Sequence, residues 1–494
     1  MNVIGIIAEY NPFHNGHAYQ IAHVRKNLHA DYIVVATSGD YVQRGEPALL
    51  DKYTRARMAL SSGADVVLEL PVLWSTASAE LFADAGISLF EKTGCVNGIC
   101  FGAESGDLAL LRRIADVLAD EPAALKASLK HNLKSGSTFP KAREAALLSY
   151  FAGSAGQDGA LPVSTETLSS LLASPNNILA LEYLKALRRR ASSITPYLLK
   201  REGAAYHETS IRSGASEVPA SASAIRHTLF AGGAGASEDS ADGILHHAMP
   251  QKALSILQDY RADFPLLCAD DFSSILGYLL LSSSASQLAR TADSSPEFAN
   301  RMRNQLPYYT SFSSFASRLK SKEMTLTRIN RILLHSILGI TSSDYACGNA
   351  LDKIPYLRIL GFRESAAPLL AALKASAAVP LITRPSQAPK LLSTDAMQVF
   401  ERDVFAGNLY LQMRNQKGGT PLRAARMQEH DVPPRLRISA ADRHPAIVQS
   451  HFFVFFPNTA ADSSAASGTV HTIPTLPAMH WMISIATKSV FISC

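Results

Sequence analysis

Residues 5–17 read GIIAEYNPFHNGH, from Gly5 to His17. An apolar run of the kind buried in a parallel sheet ends at Asn11-Pro12, a pair that fixes a turn. The turn delivers His14 and His17 to the point where a helix should begin. Two imidazoles three residues apart in a first helical turn lie on one side of it and can donate from their ring N–H groups. Backbone N–H groups without intrahelical partners point the same way, and Gly16 lets a ligand approach the backbone closely. This grouping suits charge neutralisation on a nucleoside triphosphate reacting at its α-phosphorus. The plainer alternative, a cap and a surface residue, is the usual fate of a lone histidine.

Working outward, the rhythm of the opening strand repeats. Ala18–Leu28 carries Ile21, Val24 and Leu28 on one helical face, and Asp31–Thr37 (DYIVVAT) is a second continuously apolar strand. A helix over about 52–62, a strand at Asp65–Leu70 stopped by Pro71, and a strand at Gly98–Gly102 follow. This alternation predicts a doubly wound, parallel-sheet α/β domain with its ligand at the carboxyl ends of the strands. Residues 107–187 read mostly as helix, interrupted by a Gly/Ser-rich stretch at 153–159, before a fifth strand at Ile194–Lys200 (ITPYLLK). Ala220–Phe230 opens another helix, with Ser221 and Ser223 as possible caps. The expected division is a nucleotide-binding domain over 1–235 with a helical insertion at about 105–190, a helix-rich domain over 244–412 with few convincing strands, and an atypical, poorly ordered tail over 413–494.

Composition is that of a globular chain, 47% hydrophobic and 18% charged, and the net charge of +5 is only mildly basic. The five cysteines are scattered without a C-x-x-C pair, which suggests neither a disulfide framework nor a zinc site. No stretch is long and apolar enough to span a membrane, the short apolar run at 3–8 has no basic leader, and a cytoplasmic setting is expected.

The opening motif resembles the H-x-G-H signature of the nucleotidyltransferase superfamily, and Ser221-Ala222-Ser223-Ala224-Ile225-Arg226 is similar to its second signature, a Ser-rich helix start with a phosphate-holding arginine. More blocks narrow the match. Ser38–Ala48 (SGDYVQRGEPA), Lys52–Leu60, Gly63–Pro71 (GADVVLELP), Phe101–Glu104 (FGAE), Ser174–Leu184 (SPNNILALEYL) and Lys200–His207 (KREGAAYH) together resemble the tRNA(Met) cytidine acetate ligase family. The likeness continues more loosely through Thr325–Ile340 and Tyr356–Phe362 (YLRILGF) and fades near residue 410; the tail matches nothing in the family and is assigned no function.

The resemblance implies an activity that spacing alone does not. ATP activates acetate as acetyl-adenylate, and the acetyl group passes to the wobble cytidine of elongator tRNA(Met), giving N4-acetylcytidine. The family's ATP contacts fall on Ile7, Ala8, Glu9, Tyr10, Asn11, Pro12, Phe13, His14, Asn15, Gly16, His17, Ala18, Tyr19 and Gln20, then on Gly102, Asn176 and Arg201. Asn177 and Lys200 are neighbours one residue away from the last two. His14, His17 and Arg226 would be catalytic, the histidines at the α-phosphate and Arg226 on the pyrophosphate side. Mg²⁺ is expected with ATP, yet no acidic cluster is evident; Asp40 and Glu104 are the nearest possibilities, and no metal-ligand set is assigned. For tRNA the basic groups are Lys126, Lys130 and Lys134, Arg188-Arg189-Arg190, Arg301 and Arg303, and Lys320, Lys322, Arg328 and Arg331. No obligate protein partner is implied. Two other readings stay open: a small-molecule adenylyl- or cytidylyltransferase, and a non-catalytic RNA-binding protein on the same fold.

Overall fold

The computed structural model describes residues 1–153, 164–201, 221–231, 245–419 and 436–438. Ten strands lie among them: β1 (Val3–Ala8), β2 (Tyr32–Ser38), β3 (Tyr41–Val42), β4 (Glu46–Pro47), β5 (Val66–Leu70), β6 (Gly98–Ala103), β7 (Thr195–Lys200), β8 (Leu357–Arg363), β9 (Leu381–Ile382) and β10 (Leu436–Ile438). The main sheet runs β10-β8-β5-β2-β1-β6-β7, with β9 also on β8, while β3 and β4 form a separate small hairpin. From β5 to β7 every pairing is parallel. The chain leaves β1 toward β2 and β5, then returns to the other side for β6 and β7. That reversal is the doubly wound order expected from the sequence, and it sets the switch point, where such sheets take their ligands, at the carboxyl ends of β1 and β6.

The apolar runs form strands because both of their faces are covered. Val3, Val34, Ala36, Val66 and Leu68 point into one core, and Ile4, Ile6, Ile33, Val35 and Val67 into the other. Alternate residues take opposite faces, as the pleat requires, and each buried Val or Ile is worth roughly 1.5–3 kcal/mol. Helices Ala79–Thr93, Leu108–Asp120 and Pro175–Arg189 cover the first face; Asn15–Asn27, Lys52–Ser61 and Gln251–Asp263 cover the second. A Cβ on Gly5 would come within 2.6 Å of the Phe90 ring, so only a glycine lets Ala79–Thr93 settle this closely on β1.

The helix-rich second half also contributes to the sheet. Strand β8, from the apolar block at Tyr356–Phe362, pairs antiparallel with β5. Arg358 interrupts that block as a sequence, yet it is buried against Glu69 of β5 at 3.1 Å. The helix Thr394–Lys417 runs past Met413. Residues Met1–Arg443 form one unit and His444–Cys494 a second, which lies outside the described residues. The Gly/Ser-rich interruption after Gly153, the boundary expected at 231–243 and most of the tail also fall almost wholly outside them.

Candidate active site

The sheet reversal brings the expected residues to one place. Ile7–Gln20 leads out of β1 into the Asn15–Asn27 helix, Gly102 lies in β6, Asn176 opens the Pro175–Arg189 helix, and Arg201 directly follows β7. Arg226, in the Ala222–Ala231 helix, donates to the Asn11 carbonyl at 2.7 Å.

His14 and His17 are organised by the helix they begin. His14 is the N-cap: its Nδ1 accepts from Gly16 N–H at 3.1 Å, while His17 Nδ1 accepts from His14 N–H at 3.2 Å. The rings stack with centroids 3.7 Å apart and 23° between planes. The cap reading and the ligand reading therefore hold for different nitrogens of the same ring. With both Nδ1 atoms accepting, each neutral imidazole carries its proton on Nε2, where it can donate. The structure departs from the expected free backbone donors, because Gly16 N–H goes to His14 and His17 N–H to the His14 carbonyl.

Burial, reinforced by the Arg201 charge, pushes the His14 imidazole down to about 3. His17 is held well below its ordinary value by burial, then by His14 and Arg201. Tyr10 meets His17 edge-on at 4.8 Å and Phe13 packs at 5.4 Å, which supplies the apolar surroundings. At neutral pH the pair is two uncharged N–H donors.

Around this pair the opening turn is held by residues the sequence singles out and by one it does not, Arg55. Arg55 is fully buried and donates to the carbonyls of Glu9 (2.6 Å), Leu50 (3.0 Å), Ser38 (3.1 Å) and Gly39, which ties the ends of β1 and β2 together. Its signal was an arginine four residues before Ala59, on the apolar face of its helix. Asn11 Oδ1 accepts from Leu49 N–H at 2.7 Å. The β3–β4 hairpin closes the other side: Gln43 N–H donates to Glu9 at 2.7 Å, and Glu46 pairs with Arg226 at 3.4 Å. Burial pushes the Glu9 carboxyl up, opposed by Gln43 N–H and by Arg44 and Arg226. Ser221 is the cap of the Ala222–Ala231 helix, whereas Ser223 accepts from Arg226 and Arg44, both at 3.4 Å.

On the β6 side, Glu104 accepts from Asn176 Nδ2 at 2.6 Å and from Asn177 N–H at 3.2 Å, and lies 3.9 Å from Arg201. Asn177 is buried and its Oδ1 is taken by Ser105 N–H at 2.9 Å, whereas Asn176 stays partly exposed. Lys200 packs on Gly106, while Arg201 packs on Gly102, where a Cβ would stand 3.2 Å from its Cγ. Asp40 accepts from Lys52 N–H at 2.8 Å and lies 3.7 Å from Lys52 Nζ. No cluster of three or more metal-ligating side chains occurs among the described residues. Asp40 and Glu104 are thus committed to protein partners and do not fit a protein-held Mg²⁺ site.

The basic groups divide. Arg190 is bound to Glu91 (2.6 Å), Asp352 (2.8 Å) and Asp84 (3.2 Å), Arg189 to Glu80 and Glu121, and Arg188 to Asp120. The triplet is an ion-pair hub and its charge is spent within the protein. Arg331 is likewise buried, 3.5 Å from Asp293. Lys126 pairs with Glu121 at 3.3 Å. No helix among the described residues is long and apolar enough to cross a membrane.

Comparison with known proteins identifies relatives over most of the chain. The family model described as HIGH Nucleotidyl Transferase matches residues 1–422. The tRNA(Met) cytidine acetate ligase of Acetivibrio thermocellus is 35% identical over 412 residues, 83% of this chain and 95% of that protein. That of Thermoanaerobacter sp. (strain X514) is 37% identical over 411 residues, with the same shares. The crystal structure of Thermotoga maritima TmcAL (apo, form I) superposes with a TM-score of 0.80 at 28% identity, covering 89% of this chain and 100% of that one. The same protein bound with alpha-thio ATP gives 0.77 at 27%, with the same coverage. Matched by that family model over 1–422 and 35–37% identical to these ligases over 83% of its length, this chain belongs to the tRNA(Met) cytidine acetate ligase family.

Proposed function

We propose that the protein is an ATP-dependent ligase that acetylates the wobble cytidine of elongator tRNA(Met), using the switch point at the carboxyl ends of β1 and β6. In the first step an acetate oxygen attacks the α-phosphorus of ATP and the bond to the β-phosphate oxygen breaks, giving acetyl-adenylate and pyrophosphate. In the second the cytidine N4 amine attacks the acetyl carbonyl, AMP leaves as the C–O bond breaks, and the amine gives up a proton. No acyl-enzyme forms.

The chain's own contribution is positioning and electrostatics. His14 and His17 present Nε2–H donors to the oxygens of the α-phosphoryl group as charge builds there. Arg226, held against Asn11, takes the pyrophosphate side, and Arg201 a phosphate. Partly exposed Asn176 faces ribose or base, which favours it over the committed Asn177, and the bare backbone at Gly102 admits adenosine. Any Mg²⁺ that accompanies ATP would be carried by phosphates and water, and no step above depends on it.

The observation that carries this reading is the capped, stacked histidine pair at the sheet reversal of a chain whose relatives are named for this ligase. The test is incubation with ATP and labelled acetate, with and without elongator tRNA(Met), following pyrophosphate and label. Pyrophosphate release that requires acetate, and label in the RNA, are expected. Transfer of AMP to a phosphorylated metabolite without acetate would sink the reading.

A further inference from the structure

We propose that a surface centred on helices Pro296–Gln305 and Phe312–Leu319 docks a single-stranded loop of the RNA substrate, an inference that rests on the tRNA reading above. Residues 296–328 carry six cations, Arg301, Arg303, Arg318, Lys320, Lys322 and Arg328, against two carboxylates, Glu297 and Glu323. That excess nearly equals the net +5 of the whole chain.

The partners of these cations distinguish them from Lys126, Arg188-Arg189-Arg190 and Arg331, which all meet carboxylates, and they outnumber exposed Lys130 and Lys134, which also have no ion pair among the described residues. Arg301 donates to the Lys320 carbonyl (2.9 Å), Arg303 to those of Leu280 (3.0 Å) and Ser283 (3.2 Å), Arg318 to the Gln305 amide oxygen (3.4 Å) and Arg328 to the Asp293 carbonyl (3.2 Å). Neutral acceptors fix where a guanidinium sits without cancelling its charge. None of the six cations has an ion-pair partner among the described residues, and Lys320 and Lys322 are exposed.

The same contacts join the patch into one surface. Arg301 touches the turn bearing Lys320 and Lys322; Arg318 lies 4.5 Å over the ring of Tyr308, which is 58% exposed; Arg303 holds the turn beside Leu281, which is 71% exposed. Uncompensated cations bind phosphates through counterion release, and an exposed ring backed by a guanidinium is a stacking platform for an unpaired base.

The patch is also wired to the active site. Arg328 opens the Leu326–Leu338 helix, and Gly45 at the tip of the β3–β4 hairpin presses on it: a Cβ there would lie 2.3 Å from Arg331 N. At φ 78° Gly45 occupies a conformation that suits glycine. The same hairpin holds Glu9 and Arg226 at the proposed nucleotide site.

The test uses the full chain and elongator tRNA(Met), with binding measured across a salt series. The variant R318Q/K320Q/K322Q/R328Q leaves Arg301 and Arg303 to hold the turns. It should bind at least about tenfold more weakly near 0.1 M salt, with the slope of log K against log salt shallower by about 3. Tyr308→Ser should lose roughly 5- to 100-fold in affinity with the slope unchanged. Acetate-dependent ATP–pyrophosphate exchange should persist in both, which shows that they fold. R188Q/R189Q, whose charges are already neutralised, should stay within about twofold of wild type.

Unchanged affinity and slope in the quadruple variant would overturn the proposal. So would a wild-type chain that binds polyglutamate but not tRNA, which would point to an acidic protein partner. A wild-type chain that binds tRNA but shows no acetate-dependent exchange would instead overturn the ligase reading, and the binding arm would still judge the surface.

Discussion

The ends of β1 and β5 both bury groups that can carry charge, and they treat them in opposite ways. At β1 two imidazoles are kept neutral by burial and by the cation of Arg201, with each Nε2 free to donate. At β5 charge is present and balanced: Glu69 is 2.8 Å from Lys52 and 3.1 Å from Arg358, while Asp403 accepts from Val72 N–H at 2.7 Å and from Tyr356 OH. The histidine pair at the first end carries no charge, and in the proposed site it would receive an anion. The other end is complete without a ligand and welds β8 and the Thr394–Lys417 helix to the nucleotide sheet. Perturbed groups thus coincide with the proposed site at β1 and with architecture at β5.

The largest expected effect separates these roles. Lys52→Met removes one member of a buried ionic cluster and should cost about 3–5 kcal/mol of stability, measured by urea unfolding. A cost below about 1 kcal/mol would mean that the β5 cluster is as dispensable as a surface pair.

At β1 the loss should appear in rate. His17→Ala should lower the kcat for acetate-dependent adenylation about 10²- to 10³-fold, as removal of one preorganised donor does elsewhere. His14→Asn goes further in separating functions, because asparagine is a good N-cap and should keep stability within about 1 kcal/mol while the rate falls similarly. If H14N lost stability and kept its rate, His14 would be a cap alone.

These roles were unequally legible. H-x-G-H is local: two histidines within one helical turn announce their shared side, and the strand before them announces the sheet. A cap was among the readings of these histidines, but that one ring caps through Nδ1 and keeps Nε2 as a donor was not legible, because it needs the extended backbone of His14 rather than its position in sequence. The β5 cluster was invisible because Glu69, Arg358 and Asp403 come from three distant segments. The same cause made Arg188-Arg189-Arg190 look like a phosphate grip, since Glu80, Asp84, Glu91 and Asp352 are remote in sequence. Strand β8 escaped because Arg358 interrupts its apolar run, and only burial against Glu69 makes it a strand residue.

Acid should act oppositely on the two ends. His14 has a folded value of about 3 against an ordinary 6.5, so its contribution to stability is present above about pH 6.5 and is lost as pH falls toward 3. Asp403 is pushed up to about 7 from 3.8, first by burial and then by Glu69. The folded state therefore holds its proton where the unfolded state does not, and this contribution declines as pH rises from about 4 to 7. In unfolding series, His14→Asn should flatten the acid-side slope and Asp403→Asn the slope toward neutrality. Identical profiles for both variants would remove the distinction between the two ends.

The smallest effect concerns the rim of the proposed site, where neither burial nor charge dominates. A Cβ on Gly102 would meet Arg201 Cγ at 3.2 Å and Cδ at 3.5 Å, atoms of a partly exposed, flexible side chain that can yield by a few tenths of an ångström. Gly102→Ala should therefore leave stability within about 0.5 kcal/mol. Its cost should fall on ATP, because the methyl group both narrows the approach to the backbone and displaces Arg201. A shift that small should cost well under the roughly 10²-fold of a full 1 Å misplacement. The expected outcome is a raised KM for ATP, an unchanged KM for acetate and little change in kcat. An equal rise in both KM values would place acetate, rather than adenosine, over this glycine.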